Sequence, residues 1–370
     1  MPLACLMTIT IGFLIAYPLT WLMRAVAVWT GQMDAPGERK IHDRPIPVTG
    51  GVAMFWAIVA PIVVLMAGAW WAADEWWGRL LPEAVDHLPG ARAQTGMAIA
   101  LVGCLAALHI TGLIDDRKNL GPFGKLLVQV MAAGVLVIGF DVRLFEWWGL
   151  APSIALTILW FVIVTNAFNF LDNMDGLSAG VATICASILL AVALLGGQWF
   201  VAALLGLAVG AMLGFLVFNF PPASIFMGDG GSLVIGFLIA FCSVRITYYA
   251  PSVGEAFGGR GWWVVFTPLV VLAIPLYDLT SVTIIRLLQG KSPFKGDTQH
   301  FSHRLVKRGL TRPAAVIVIY ACTLATGIGG VMLGRLTEAW QAALVIVQTL
   351  AVLLVLALLE RATNHLGKRE

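Results

Sequence analysis

The stretch Asn166-Ala-Phe-Asn-Phe-Leu-Asp-Asn-Met-Asp-Gly176 places three Asn and two Asp between two apolar runs. Leu150 to Thr165 before it and Leu177 to Gly197 after it contain no charged residue. Each run approaches the ~20 residues that a helix needs to cross a bilayer core. The polar cluster therefore falls where one spanning helix ends and the next begins. At about 100° per residue, Asn166, Asn169 and Asn173 share a helix face with Asp172 one step around it, and Gly176 supplies a break. An isolated Asn-Asp pair reads as a solvated turn. Five polar residues in eleven at a membrane boundary point instead to a seat for a hard cation such as Mg²⁺, or for sugar and base hydroxyls.

The same alternation covers the rest of the chain. Of its 370 residues, 59% are hydrophobic and 12% charged, which excludes a soluble globular domain. Apolar runs at 3–29, 49–70, 93–113, 124–140, 152–170, 177–195, 199–218, 231–249, 264–287, 314–334 and 341–360 predict an all-α polytopic membrane protein. They amount to about eleven transmembrane helices in a single domain, 1–370. The first run lacks a basic n-region and a small-residue cleavage site, so it reads as a retained helix. Threading eleven spans puts sixteen Lys and Arg on one side, among them Arg39, Lys40, Arg44, Arg117, Lys118, Lys295, Arg304, Lys368 and Arg369. Five lie opposite: Arg79, Arg92, Arg143, Arg260 and Arg335. That excess assigns the first side to the cytoplasm. Trp70, Trp71, Trp76 and Trp77 fall on the other side and read as an interfacial belt. The five cysteines lie singly in or beside apolar runs, without ligand spacing, and read as packing residues.

Further polar clusters fall on the same side as the opening stretch. Pro45-Ile-Pro-Val-Thr-Gly-Gly51 follows a basic loop, and paired glycines beside cations let a backbone approach phosphate. The third run ends in Asp115-Asp116-Arg117-Lys118, with Lys125 beyond, and two adjacent carboxylates there need compensating charge. His109, one turn earlier, reads as a helix–helix hydrogen-bonding group. Phe226-Met-Gly-Asp-Gly-Gly-Ser232 surrounds Asp229 with glycine at the start of another span, where N–H groups can meet an anion. The last large loop carries His300, His303 and Arg304 in a cationic setting that suits phosphate better than zinc, since no cysteine partners exist.

In this order the clusters resemble the polyprenyl-phosphate N-acetylhexosamine-1-phosphate transferases, the family that includes phospho-MurNAc-pentapeptide translocase. The resemblance rests on Pro45 to Gly51, Asp115-Asp116 with Leu120 and Lys125, Asn166-x-x-Asn-x-x-Asp with Asp175-Gly176, Met227 to Ser232, and His300 to Leu305. It implies that Asp229 binds Mg²⁺, or Mn²⁺ in its place, with Asn169 and Asp172 at the metal and nucleotide. It makes Asp115, Asp116 and Asp172 the candidate catalytic carboxylates, the first two facing the lipid phosphate. Asn166, Asp175, Lys125, His300, His303, Arg304, Gly50 and Gly51 become candidate substrate-binding residues. One position departs: where relatives often carry His-x-His-His-Arg, this chain has His300-Phe-Ser-His303-Arg304.

The implied partners are a UDP-N-acetylhexosamine, with UDP-GlcNAc first and UDP-MurNAc-pentapeptide second, and a polyprenyl phosphate such as undecaprenyl phosphate. A bacterial inner (plasma) membrane location with a cytoplasmic active site is expected, a homodimer is allowed, and no nucleic acid partner is expected. A phosphate monoester with a second pKa near 6 is already largely dianionic at neutral pH. Asp115 and Asp116 are therefore expected to position groups before they move protons. An ion-coupled transporter is the rival from another class, but its sites belong near the membrane midplane on broken helices, whereas these clusters lie at helix ends.

Overall fold

The computed structural model describes residues 2–34, 45–80, 82–118, 120–248, 262–292 and 299–361. The loop cations Arg39, Lys40, Arg44, Arg260, Lys295, Lys368 and Arg369 lie outside the described residues. Within them, ten helices are long and apolar enough to cross a membrane, or eleven if one bent pair counts as a single span. The chain opens with α1 (Pro2–Thr30), and a two-residue antiparallel pair, β1 (Met33–Asp34) with β2 (Ile46–Pro47), leads to α2 (Gly50–Trp71). Three short helices, α3 (Asp74–Leu80), α4 (Pro82–Val85) and α5 (Leu88–Ala93), cover the turn into α6 (Thr95–Lys118). Then follow α7 (Gly121–Gly139), α8 (Leu150–Leu171), α9 (Leu177–Leu195), α10 (Trp199–Asn219) and α11 (Asp229–Tyr248). The chain ends with α12 (Thr267–Val271), α13 (Ala273–Leu288), the short α14 (Phe301–Lys307), α15 (Arg312–Leu333) and α16 (Ala339–Arg361).

These helices follow the apolar runs because a backbone in hydrocarbon must satisfy its hydrogen bonds internally. The ninth run is the exception to a continuous span. It breaks at Leu272 into α12 and α13, which are bent by 69°. Pro275 has no N–H to give, and its ring would clash with the carbonyl four residues back, at Val271, where α12 ends. The tryptophan belt also needs correction. Trp70, Trp71 and Trp76 are exposed, but Trp77 is buried and donates its Nε1–H to the Gly68 carbonyl at 3.1 Å.

The bundle is built around α11, which is buried over 94% of its spanning stretch, against 22% for α16. A helix that is apolar on all sides belongs in the interior. On α16, by contrast, Leu344, Val347, Leu350, Leu354 and Leu358 recur at helical spacing on an exposed face, as a lipid-facing helix requires. Glycines allow α11 its close neighbours. A Cβ on Gly51 would lie 2.4 Å from the Gly231 nitrogen, and one on Gly112 would lie 2.3 Å from the Gly230 nitrogen. Both contacts are at the first turn of α11, where Asp229 sits.

Candidate active site

Four helix ends converge at one end of the bundle. Asp229 opens α11, and Lys125, in the first turns of α7, places its Nζ 2.7 Å from Asp229 Oδ2 and 2.9 Å from Asp115 Oδ2 near the end of α6. Asn169, in the last turn of α8, donates from Nδ2 to Asp229 Oδ1 at 2.8 Å and to Ser232 Oγ at 2.9 Å. Asp116 accepts the backbone N–H of Asp229 at 2.9 Å and of Gly230 at 3.3 Å, so it caps α11 from a different helix. Gly228, which precedes Asp229, has φ +70°, and a Cβ there would lie 2.6 Å from Asp116 Oδ2. Only glycine satisfies both the backbone and the capping carboxylate. From the far side of α11's first turn, the His109 Nδ1 hydrogen-bonds the Gly230 carbonyl at 2.7 Å while its ring stacks on Phe55 at 4.3 Å.

α8 ends at Leu171, so Asp172 is its C-cap and Asn173 lies in the turn beyond, off the face shared by Asn166 and Asn169. Burial, and then the fields of Asp229, Asp116 and Asp175, push the Asp172 carboxyl up to about 8. Asp175 Oδ2 accepts the Ala223 N–H at 2.9 Å and ties this turn to the loop before α11. Gly176 donates its N–H to Asn219 Oδ1 at 3.0 Å, and the Tyr320 hydroxyl donates to the Gly176 carbonyl.

The α14 segment docks on the same turn. Ser302 Oγ donates to Asn173 Oδ1 at 2.6 Å, so the hydroxyl at the departing position secures α14 to the turn. Burial, followed by the positive surroundings of His300, Lys307 and Arg312, holds the His303 imidazole down at about 4. His300 Nδ1 meets Asp278 Oδ2 of α13 at 2.8 Å.

Some candidates from the sequence occupy other roles. Gly50 and Gly51 are buried, and their N–H groups donate to the carbonyls of Phe226 at 3.0 Å and Met227 at 2.9 Å. Their backbones are spent on helix packing and are not open to phosphate. Arg304 donates to Glu360 Oε2 at 2.9 Å, to Ser281 Oγ at 2.9 Å and to the Gln299 carbonyl, so its guanidinium braces α14 against α16. Asn166 donates to Gln129 Oε1 at 2.6 Å and the Val162 carbonyl at 2.8 Å, in the α7–α8 seam. Asn169 serves here as a donor that orients Asp229. Sequence reading missed Asp278, Glu360 and Tyr320. Asp278 was findable as the lone acidic residue within the 264–287 run, because an intramembrane carboxylate is a functional signal by default.

Four carboxylates, Asp115, Asp116, Asp172 and Asp229, thus lie within reach of one another's fields, and among the described residues two of them, Asp115 and Asp229, pair with the ammonium of Lys125. The donor set is all hard oxygen and has an excess of negative charge, which fits Mg²⁺ or Mn²⁺. Among the described residues, no group of three or more Asp, Glu, His or Cys side chains is placed to hold a metal ion by itself. A Mg²⁺ ion here would rest on one or two of these carboxylates, with waters and substrate phosphates as its other ligands.

A bundle of ten or eleven helices long and apolar enough to cross a membrane, with a lysine-bridged acidic cluster at one end, defines a multi-pass membrane protein. Residues 98–247 match the family described as Glycosyl transferase family 4, a stretch that holds every carboxylate of the cleft but none of α14. The chain is 30% identical over 330 residues to a Bacillus subtilis protein named "Probable undecaprenyl-phosphate N-acetylglucosaminyl 1-phosphate transferase", covering 86% of this chain and 82% of that one. It is 35% identical over 329 residues to a decaprenyl-phosphate N-acetylglucosaminephosphotransferase of Mycobacterium tuberculosis, covering 83% and 77%. An undecaprenyl-phosphate alpha-N-acetylglucosaminyl 1-phosphate transferase of Salmonella typhi is 27% identical over 334 residues, covering 86% and 81%. The chain belongs to glycosyl transferase family 4.

Proposed function

We propose that this protein transfers an N-acetylhexosamine 1-phosphate, GlcNAc 1-phosphate before others, from a UDP-sugar to a polyprenyl phosphate. The lipid phosphate oxygen attacks the β-phosphorus, the bond to the α-phosphate breaks, and UMP leaves. The acidic end of the bundle is proposed to face the cytoplasm of a bacterial inner membrane, as the Lys and Arg excess there suggests. The observation that carries this reading is the acidic cluster itself: Asp115 and Asp229 bridged by Lys125, with Asp116 and Asp172 beside them at the helix ends, in a chain whose relatives bear transferase names.

Electrostatics explains why such a cleft suits the reaction. Two phosphates of about −2 each, ~5 Å apart at an effective dielectric near 20, repel by about 13 kcal/mol. Mg²⁺ or Mn²⁺ held by Asp229 and Asp172 would offset much of that repulsion and polarise the phosphoryl oxygens. The chain's own residues supply the geometry. Lys125 bridges Asp115 and Asp229, Asn169 orients Asp229 from the other oxygen, and Asp116 fixes the helix end from which Asp229 projects. These bonds give Asp115 and Asp116 holding roles, in keeping with an acceptor phosphate that needs no general base. His300 and His303 border the Asp172 turn through the Ser302–Asn173 bond, where a diphosphate could reach them.

The test is purified protein with radiolabelled UDP-GlcNAc, undecaprenyl phosphate and Mg²⁺, with UDP-MurNAc-pentapeptide in a parallel arm. Release of UMP with formation of a lipid-linked GlcNAc phosphate is expected. UMP release only from the pentapeptide donor would reassign the sugar, and none from either donor would overturn the reading.

A further inference from the structure

Asp278 lies on α13, six residues beyond the break at Leu272, and is fully buried. Both of its oxygens are committed to the start of α14: Oδ2 to His300 Nδ1 at 2.8 Å and Oδ1 to the Phe301 N–H at 3.1 Å. His300 is the residue immediately before α14, and its own side chain makes no capping bond there, so Asp278 supplies the cap from another helix. The imidazole is confined on two sides. The Phe170 ring meets it edge-on at 5.9 Å, and the His303 ring lies 6.3 Å away. Phe170 is next to Asn169 in the α8 end, and two residues after His300 the Ser302 hydroxyl bonds Asn173 beside Asp172, so the His300 ring packs on the turn that carries Asn169 and Asp172.

A carboxylate oxygen accepts, so the Asp278 contact requires the ring proton on Nδ1. Nε2 makes no hydrogen bond among the described residues and is the nitrogen left for a ligand. We propose that Asp278 is a positioning residue for the transferase reaction: it holds His300 in the Nδ1–H tautomer and in one orientation, and so presents Nε2 to the donor diphosphate. This rests on the proposed function for the identity of the ligand. Partners of metal-bound histidines fix the ring's tautomer and direction through its other nitrogen, and losing one typically costs about 10–100-fold; Asp278 stands in the same relation to His300, so the same scale is expected of it.

Asp278→Asn makes the test specific. The amide keeps an oxygen for the Phe301 N–H but offers an NH₂ group where the carboxylate oxygen met His300. An NH₂ group donates, so Nδ1 must become the acceptor and the proton moves to Nε2. The first measurement is ¹⁵N NMR of histidine-labelled protein at alkaline pH, where imidazoles are neutral, with the His300 signals assigned by their loss in His300→Ala. The parent should show His300 protonated at Nδ1, and Asp278→Asn should show it protonated at Nε2. An Nε2–H tautomer in the parent overturns the proposal.

The second measurement is a double-mutant cycle in UMP release, read alongside melting temperature. Asp278→Asn is expected to lower kcat/KM by roughly 10–100-fold with little loss of melting temperature, and to cost nothing further once His300→Ala is present. Losses of equal size in both backgrounds would make Asp278 a helix cap alone and overturn the proposal. If the parent releases no UMP, the function reading fails, and the tautomer measurement by itself still decides what Asp278 does to His300.

Discussion

The two sides of the cleft handle charge in opposite ways. On the α6–α8–α11 side, four carboxylates lie close together with Lys125 paired to two of them, and the Asp172 carboxyl is driven up by burial and then by its acidic neighbours. On the α14 side, each buried acid has its own base: Asp278 holds His300, and Glu360 holds Arg304 at 2.8 Å. A set of like charges held together costs stability and is kept for what it can receive. A matched pair receives nothing more and serves to hold an element in place. On the proposed function, the acidic side is the one that would accept a cation and phosphate, and the α14 side the one that keeps its histidines in one position.

If that contrast is right, removing charge from the two sides must do different things. The largest expected effect is Asp229→Asn, which should lower UMP release by at least about 100-fold, the scale for losing a main electrostatic group. Its melting temperature should change little, because the lost Lys125 pairing is set against the relief of one of several repelling carboxylates. A Mg²⁺ titration of activity, with Asp74→Asn on the exposed α3 as control, checks it. Parent-like activity at low Mg²⁺ would remove Asp229 from the metal site.

Next in size is Arg304→Ala. It leaves the buried Glu360 without its ion-pair partner and with only the Tyr277 hydroxyl on its carboxylate, which costs up to about 3–5 kcal/mol, and should appear as a large fall in melting temperature with activity lost through unfolding. A stable Arg304→Ala protein with only a raised KM for UDP-sugar would return Arg304 to the substrate.

Gly112→Ala tests whether the acidic side depends on close backbone contact. The new Cβ would meet Asp229 and Gly230 backbone atoms at 2.3–2.5 Å. Displacing Asp229 by ~1 Å should cost up to about 100-fold in kcat, with a stability loss of about 1–3 kcal/mol from overpacking. Unchanged kcat would show that the helix end shifts without consequence.

The smallest effect is a pH slope. His303 has a folded value near 4 against about 6.5 when unfolded. The unfolded chain therefore binds more protons between those values, and stability falls as pH drops through that window. The loss from this group should be on the order of 1 kcal/mol by pH 5.5. Melting curves of the substrate-free protein should show it, and His303→Gln should flatten that part of the profile. An identical slope in the variant would place the effect elsewhere.

Much of the molecule is legible without coordinates because the bilayer imposes a strong rule. Runs of about 20 apolar residues must be helices, so each of the eleven runs corresponds to a helix or, in the ninth, to a bent pair. The polar clusters between them also mark the cleft, since Asp and Asn at a membrane boundary need a reason to be there. What each polar residue does is a different matter. Asp115 and Asp116 are neighbours in sequence, yet one pairs with Lys125 and the other caps α11. Gly50 and Gly51 look like a phosphate loop but are packing surfaces, and Arg304 looks like a phosphate ligand but is a brace whose partner lies 56 residues on, at Glu360. Asp278 acquires its role only because the break at Pro275 and the fold of α14 bring His300 to it. Helix existence depends on local hydrophobicity, which a sequence displays. The assignment of a polar side chain depends on which donor or acceptor lies within about 3 Å, and that is decided by contacts between residues far apart in the chain.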